Sequence, residues 1–123
     1  MTSLLKQLCA YDLRSRIVCF DLDHTLCFPG EGSDSHSKYA LAKPNDEVIA
    51  KLRLYKSRGA SIIIFTARRM LTHKGNLSKV VDDIGKITED WLRQHDIPYD
   101  DLIFGKPYYD YIIDDKALNV NDI

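Results

Sequence analysis

Short apolar runs alternate with longer amphipathic segments along the chain. Four runs are dense in β-branched and aromatic residues without strict alternation, which is typical of strands buried on both faces of a parallel sheet. These candidate strands cover residues 16–20, 61–65, 101–104 and 111–113. The order strand, helix, strand, helix, strand implies right-handed crossovers, so the pattern predicts an α/β fold with a parallel sheet flanked by helices.

The two amphipathic segments are the predicted helices. The first has Pro44 in its first turn and Gly59 as its stop. Its apolar stripe comprises Val48, Ile49, Leu52 and Tyr55. The second runs from Asn76 towards Pro98, and a short helix is also expected over residues 3–13. The apolar residues of the second recur at helical spacing and are Leu77, Val80, Val81, Ile84, Ile87, Trp91 and Leu92.

Two segments fit neither pattern. Residues 28–43 are rich in glycine, serine and charge, and they predict a loop or a small hairpin. Residues 67–76 form a polar connector with a turn at Gly75 and Asn76. Both segments follow the carboxyl end of a candidate strand, which is the edge where open parallel sheets bind ligands.

Composition narrows the class of protein. The chain has 123 residues, of which 45% are hydrophobic and 28% charged, and its formal net charge is −1. This length predicts a single domain over residues 1–123. The balanced charge gives no reason to expect nucleic acid or a membrane surface as a partner.

The cysteines bear on the redox compartment. Cys9, Cys19 and Cys27 are odd in number and form no C-x-x-C pair. They therefore argue against a disulfide framework or a cysteine zinc site and fit a reducing cytosol. The sequence shows neither a signal peptide nor a membrane-spanning run. We expect a small cytoplasmic domain in which Cys27 is a structural thiol.

Polar residues stand at or just after the carboxyl end of every candidate strand. They are Asp21, Asp23 and Thr25, then Thr66, then Lys106, and finally Asp114 and Asp115. On one shared rim, clustered carboxylates repel each other and raise each other's pKa unless a cation lies among them. A hard divalent ion with oxygen ligands, most naturally Mg²⁺, resolves that conflict. With lysine and threonine donors beside it, the set predicts a site for a phosphoryl group.

These residues stand in four recognisable segments. "DLDHT", "IIIFT", "GKP" and "IIDD" resemble, in order and context, the four motifs of the haloacid dehalogenase-like (HAD) phosphohydrolase superfamily. The resemblance covers about residues 16–118, and beyond the motifs the chain is similar to small bacterial HAD proteins associated with capsular polysaccharide biosynthesis. It implies a Rossmann-like parallel sheet, and the short gaps between the motifs imply a minimal cap or none.

The resemblance implies a role for each motif residue. Asp21 is expected to be the nucleophile that forms an aspartyl-phosphate. Asp23 is expected to protonate the leaving oxygen and then to activate water. Thr66 would hydrogen-bond the phosphoryl oxygens, Lys106 would neutralise their charge, and Thr25 would help fix the nucleophile loop.

The resemblance also implies a set of Mg²⁺ ligands. They are the carboxylate of Asp21, the backbone carbonyl of Asp23, and the pair Asp114 and Asp115. Asp115 is favoured as the direct ligand and Asp114 as a water-mediated one, although the sequence leaves their order open.

Several other residues near the rim could contact a substrate. His24 stands where glycine is common in the superfamily and is a candidate donor to the substrate. Arg68 is a candidate to bind an anionic substrate, with a solvated surface charge as an equal alternative. His36 and His73 are expected to be spectators. The tyrosines of the last motif region, expected to pack beside the final strand, are Tyr108, Tyr109 and Tyr111.

The predicted function is an Mg²⁺-dependent phosphatase acting on a phosphomonoester. Asp23 favours a phosphatase over a dehalogenase, because a halide leaves without a proton whereas an alcohol needs one. A receiver-like phosphoacceptor fits less well, because the middle strand ends in Thr66 and the acidic pair comes last. A non-catalytic HAD-like module is a third alternative.

The substrate stays open at this point. A small phosphorylated molecule is expected, and the resemblance to capsule-associated proteins favours a sugar phosphate. A nucleotide or a phosphoprotein is an alternative, because a site without a large cap is accessible. The oligomeric state is undetermined, as is whether the chain is part of a longer protein.

Overall fold

A computed structural model of the chain describes residues 12–30 and 34–123. The strands are β1 (Ile17–Asp21), β2 (Cys27–Phe28), β3 (Lys43–Pro44), β4 (Ser61–Thr66) and β5 (Asp101–Phe104). The helices are α1 (Ser35–Ala40), α2 (Asp46–Ser57) and α3 (Leu77–Gln94), and a 3₁₀ turn follows at Val120–Asp122. The predicted helix over residues 3–13 lies almost entirely outside the described residues.

Strands β1, β4 and β5 form one parallel sheet with β4 in the middle. Ile64 of β4 lies opposite Phe20 of β1 and Leu102 of β5. Parallel neighbours require crossover connections, and α2 and α3 provide them. The predicted α/β fold is confirmed, and its topology brings the carboxyl ends of three strands to one edge.

The two long helices bury apolar faces in a single core. In α2 the buried residues are the predicted Val48, Ile49, Leu52 and Tyr55. In α3 they are Val80, Ile84, Gly85, Thr88, Trp91 and Leu92. The predicted stripe of α3 is therefore partly wrong, since Leu77 and Val81 are 50% and 46% exposed. Gly85 and Thr88 take places on the buried face because small side chains allow close packing there.

The segment before α2 differs from its predicted structure at Pro44 and in the short helix α1, which was not predicted. Pro44 is not in the helix but in β3, where it pairs with Cys27 of β2 in an antiparallel hairpin. Asn45 then forms the N-terminal cap, and α2 begins at Asp46. The predicted small hairpin over residues 28–43 is confirmed, with the short helix α1 between its two strands.

Gly59 ends α2 as predicted, and its conformation explains why. Its φ is +100°, a region that side chains other than glycine rarely adopt. A Cβ at this position would also lie 2.6 Å from Cγ of Arg14. The stop is therefore enforced both by backbone conformation and by packing.

The predicted fourth strand is wrong. Residues 111–113 have no strand structure, and Tyr111 and Ile113 are 90% and 100% exposed. Apolar β-branched residues favour a pleated, half-buried surface, but a strand needs a paired neighbour, and the structure gives this run none among the described residues. Within those residues the sheet has three strands and β1 is at its edge.

A helix that crosses a membrane has to be both long and apolar. Within residues 12–30 and 34–123, no helix is both long and apolar enough to cross a membrane.

Candidate active site

The loop after β1 presents Asp21 at the sheet edge. Its turn is closed by backbone hydrogen bonds from Thr25 and Leu26 to the carbonyl of Leu22, at 3.2 and 2.8 Å. His24 has φ +66°, a left-handed conformation that glycine adopts freely and that histidine tolerates better than most residues. The hydroxyl of Thr25 donates to Oδ2 of Asp21 over 3.3 Å. The sequence motif thus folds into a tight loop that orients the Asp21 carboxylate.

Lys106 reaches the same carboxylate from the end of β5. Its Nζ is 3.1 Å from Oδ1 of Asp21, and its backbone N–H donates to the carbonyl of Thr66 over 3.1 Å. Burial by itself lowers the pKa of Lys106, but hydrogen bonds to Tyr109 and Asp21 outweigh it and raise this pKa above its usual value. The amine therefore stays charged and offsets the negative charge of Asp21.

Arg68 is buried, with an exposed fraction of 2%. Its Nε and Nη2 donate to the carboxylate of Asp23 over 2.9 to 3.2 Å, and its Nη1 donates to the Thr88 hydroxyl over 3.1 Å. The guanidinium carbon lies 4.4 Å from the ring centre of Tyr39. The solvated-surface alternative for Arg68 is therefore wrong, and its donors are directed at Asp23 rather than left free for an anion.

The buried Thr66 supports the turn that carries Arg68. It ends β4, is 1% exposed, and its hydroxyl accepts a hydrogen bond from the backbone N–H of Arg68 over 3.1 Å. Thr66 is not among the described residues that line the cavity. Its hydroxyl keeps one donor hydrogen, and its observed contact shapes the turn that carries Arg68.

A second charged cluster centres on Asp83 of α3. Nε2 of His36 and Nε of Arg69 lie 2.6 Å from its carboxylate, and Nε2 of His73 lies 2.8 Å from it. Hydrogen bonds from His36, then Arg69 and His73, hold the pKa of Asp83 far below its usual value. The two histidines, expected to be spectators towards the substrate, hold Asp83 and are not among the described residues that line the cavity. No local pattern indicates this cluster, because its members come from three separate segments.

Asp21 and Asp23 line a cavity of about 530 Å³. Besides Arg68, three basic side chains border it: Lys38 from α1, Arg69 from the connector and Lys106. Its remaining lining residues are His24, Tyr39, Ala67, Arg68, Leu71, Thr72, Pro107, Tyr108 and Tyr109. Tyr108 and Tyr109 therefore line the cavity instead of packing beside a strand, which corrects their predicted position.

The predicted metal-ligand set is not assembled. Asp114 and Asp115 are exposed, and Oδ1 of Asp114 accepts the backbone N–H of Lys116 over 2.8 Å. No group of three or more His, Cys, Asp or Glu side chains within the described residues is arranged so that it could hold a metal ion. The fourth strand that was expected to carry the acidic pair to the rim is not formed, and neither aspartate is among the described residues that line the cavity. Lys106 and Arg68 instead offset the charges of Asp21 and Asp23.

Cys27 lies close to this site without the properties of a nucleophile. It is fully buried, and burial raises the pKa of its thiol to about 12. The thiolate is the nucleophilic form of cysteine, so a thiol with this pKa is unreactive near neutral pH. This agrees with the expected structural role.

Comparison with known proteins identifies the family. The family model "Polynucleotide kinase 3 phosphatase" matches residues 16–103. A crystal structure from Vibrio cholerae is 36% identical, with a TM-score of 0.78, over 87% of this chain and 85% of that one. A structure of the Pnkp1/Rnl/Hen1 complex is 26% identical, with a TM-score of 0.51, over 80% of this chain and 30% of that one. No curated protein matches.

A structure of the Pnkp1/Rnl/Hen1 RNA repair complex is 24% identical, with a TM-score of 0.53, over 79% of this chain and 27% of that one, and supports the fold alone. The expectation that nucleic acid is not a partner is wrong, because the matching family is named for polynucleotides. Whole-chain charge was misleading, since the near-zero balance conceals the basic side chains around the cavity. An association with capsule biosynthesis is not shown. The chain belongs to the polynucleotide kinase 3 phosphatase family, which is HAD-like, and it is a phosphoric monoester hydrolase.

Proposed function

We propose that this phosphatase removes the phosphate from the 3′ end of a nucleic acid. The observation that carries the proposal is the family match over residues 16–103, which spans β1 to β5 and the Asp21 loop. The cavity supports it, because lysine and arginine side chains are the usual partners of nucleic-acid phosphates and Lys38, Arg69 and Lys106 border the site.

In the proposed reaction, a carboxylate oxygen of Asp21 attacks phosphorus. A bond forms between that oxygen and phosphorus while the bond from phosphorus to the 3′ oxygen breaks. In this step Asp23 acts as the carboxylic acid, so it takes up a proton and gives up part of its ion pair with Arg68 before it protonates the leaving 3′ oxygen. A water molecule then attacks the aspartyl-phosphate and passes a proton to Asp23. Inorganic phosphate leaves, and Asp21 is regenerated as a carboxylate.

The surrounding side chains prepare these two carboxyl groups. Thr25 and Lys106 hold Asp21 at the sheet edge, and the positive charge of Lys106 also stabilises the charge that builds up on the transferring phosphoryl group. Arg68 fixes the orientation of Asp23 from behind the cavity. Thr66 positions the turn that contains Arg68.

Mg²⁺ dependence is part of the proposal on the strength of the family resemblance. Asp21 and the backbone carbonyl of Asp23 offer oxygen donors, and a bound Mg²⁺ would supply charge neutralisation at the phosphoryl oxygens. The remaining predicted ligands do not fit as they lie, since Asp114 and Asp115 are exposed and outside the cavity lining. No step of the proposed reaction is therefore assigned to the metal.

The proposal is tested by phosphate release from matched oligonucleotides that carry one phosphate at the 3′ end or the 5′ end. We expect the wild-type enzyme to prefer the 3′-phosphorylated strand. Asp21→Asn should lower its rate by more than about 10⁴-fold, the scale seen when a catalytic nucleophile is removed. Asp82→Asn is the matched control, because Asp82 is an exposed carboxylate of α3.

Equal rates for Asp21→Asn and wild type would overturn the assignment of the nucleophile. Turnover of small phosphoesters without any preference for a 3′-phosphorylated strand would overturn the substrate. A sugar phosphate, a nucleotide and a phosphopeptide belong in the same panel, although no feature of the described residues favours them. The cytoplasmic location stays a prediction from the sequence.

A further inference from the structure

Two neighbouring tyrosines on the cavity wall have different surroundings. Lys106 covers the ring of Tyr109, because its Nζ lies 5.0 Å from the ring centre and the two side chains are hydrogen-bonded. The ring of Tyr108 is 62% exposed, and no contact of this kind is found for it among the described residues. Tyr109 therefore helps to position Lys106, whereas Tyr108 presents an open aromatic face to the cavity.

Tyr108 is also tied to the phosphate site by a short, constrained stretch of chain. Two residues before it, Lys106 is held by Asp21 through its side chain and by Thr66 through its backbone. Pro107, between them, restricts the backbone because its ring locks φ. Two residues span at most about 7 Å of backbone, so the Cα of Tyr108 stays close to that of Lys106, and both residues line the same cavity as Asp21.

The connector after β4 adds a second apolar side chain to the same cavity. Leu71 lines it and is 66% exposed. Next to it in the lining, Arg69 is anchored at Nε by Asp83 over 2.6 Å, and its guanidinium borders the cavity. Exposed aromatic and aliphatic surface beside fixed positive charge is suited to a ligand with a flat ring and a phosphate.

We propose that Tyr108 is the base-stacking residue of this site: the base of the nucleotide that carries the 3′ phosphate stacks on its ring while the phosphate lies at Asp21. This inference rests on the proposed function and deepens it, because it assigns recognition of the terminal nucleoside to one side chain. Stacking tolerates any base, since every base has an aromatic face, so Tyr108 favours nucleic-acid ends over simple phosphoesters without reading sequence.

The experiment compares three substrates: a 3′-phosphorylated oligonucleotide, the same strand with an abasic terminal nucleotide, and a chromogenic phosphomonoester. Tyr108→Ala should lower kcat/KM for the first substrate by about 5- to 150-fold, the range found when a stacking aromatic is replaced by alanine. It should leave the abasic strand within about twofold of wild type, because that strand carries no terminal base to stack.

Two further variants isolate the ring. Tyr108→Phe keeps the aromatic face and should retain wild-type kcat/KM on all three substrates. Tyr111→Ala is the matched control, because Tyr111 is 90% exposed and is not among the cavity-lining residues. Thermal unfolding of each variant verifies that the fold is kept.

The outcomes separate the two proposals. If wild type acts on the oligonucleotide but Tyr108→Ala loses nothing, or loses the same factor on the abasic strand, the stacking role is overturned and the proposed function stands. If wild type does not prefer the oligonucleotide to the chromogenic ester, the proposed function fails and the stacking role fails with it. That failure is visible in the wild-type enzyme alone.

Discussion

The guanidinium of Arg68 sits behind the cavity and binds the carboxylate of Asp23 with two nitrogens. The Arg68 side chain is fully buried and that of Asp23 is 22% exposed, so solvent does little to screen the pair. A buried ion pair is weak evidence for net stability, but removing one partner leaves the other charge without compensation. Arg68 is therefore a positioning residue whose loss affects both the fold and Asp23.

Arg68→Met is expected to lower the free energy of unfolding by about 3 kcal/mol or more, because it strands the Asp23 carboxylate beside the cavity. Urea denaturation measures this change. Arg58→Met is the control, since Arg58 is exposed, and it should stay within about 0.5 kcal/mol of wild type. A loss for Arg68→Met no larger than for Arg58→Met would contradict the role of the buried pair.

At the scale of elements, α1 is held in place by other segments rather than by its own stability. A helix of six residues is too short to persist alone. His36 of α1 contacts Asp83 of α3, and Tyr39 of α1 lies against the guanidinium of Arg68. Since Lys38 and Tyr39 border the cavity, the Asp83 cluster also determines one wall of the candidate site.

Asp83→Asn is expected to lower the free energy of unfolding by about 1 to 3 kcal/mol near neutral pH, because three hydrogen bonds to a charged carboxylate are weakened. The pKa of Asp83 is depressed in the folded state. Its contribution is therefore complete above the unfolded pKa of about 3.9 and declines as pH falls below it. The difference between wild type and variant should shrink below about pH 4.

Urea denaturation over a series of pH values measures this dependence. Asp82→Asn is the neighbouring control, because its exposed carboxylate has no hydrogen-bond or ion-pair partner among the described residues and its effect should be small throughout. A difference for Asp83→Asn that does not vary with pH would show that the charge of the carboxylate is not what stabilises the cluster.

At the scale of the whole molecule, the segment after β5 separates the acidic pair from the rest of the rim. Asp114 and Asp115 follow an exposed apolar run, and Asp21 is already paired with Lys106. If Mg²⁺ binds as proposed, its binding stabilises the folded state by mass action. Mg²⁺ binding by the whole predicted ligand set would therefore require this segment to approach the Asp21 loop.

Removal of divalent ions with a chelator is expected to abolish phosphate release, and added Mg²⁺ should restore it. Added Mg²⁺ should also raise the melting temperature, a readout that does not depend on turnover. Asp21→Asn should weaken the rise in melting temperature, whereas Asp110→Asn, an exposed aspartate outside the predicted ligand set, should not. Unchanged activity after chelation would contradict the Mg²⁺ proposal.

The sequence alone determined the elements whose residues carry their own periodic signal. Strands β1, β4 and β5 are dense in β-branched residues, and the stripe of α2 is the one that the core buries. It also placed Asp21, Asp23 and Lys106 at strand ends, so the topology of a parallel sheet was enough to bring them to one edge. These features depend on neighbours within a few residues or on the order of elements.

Only the tertiary structure decided the features that depend on a distant partner. Residues 111–113 have the composition of a strand, yet strand formation requires a paired backbone that composition does not supply. In the sequence, Arg68 and Asp83 look like ordinary charged residues. Folding buries Arg68 against Asp23. It also places His36, Arg69 and His73 around Asp83. The physical reason is that burial, ion pairing and cavity lining are set by contacts between residues 10 to 47 positions apart, which no local pattern encodes.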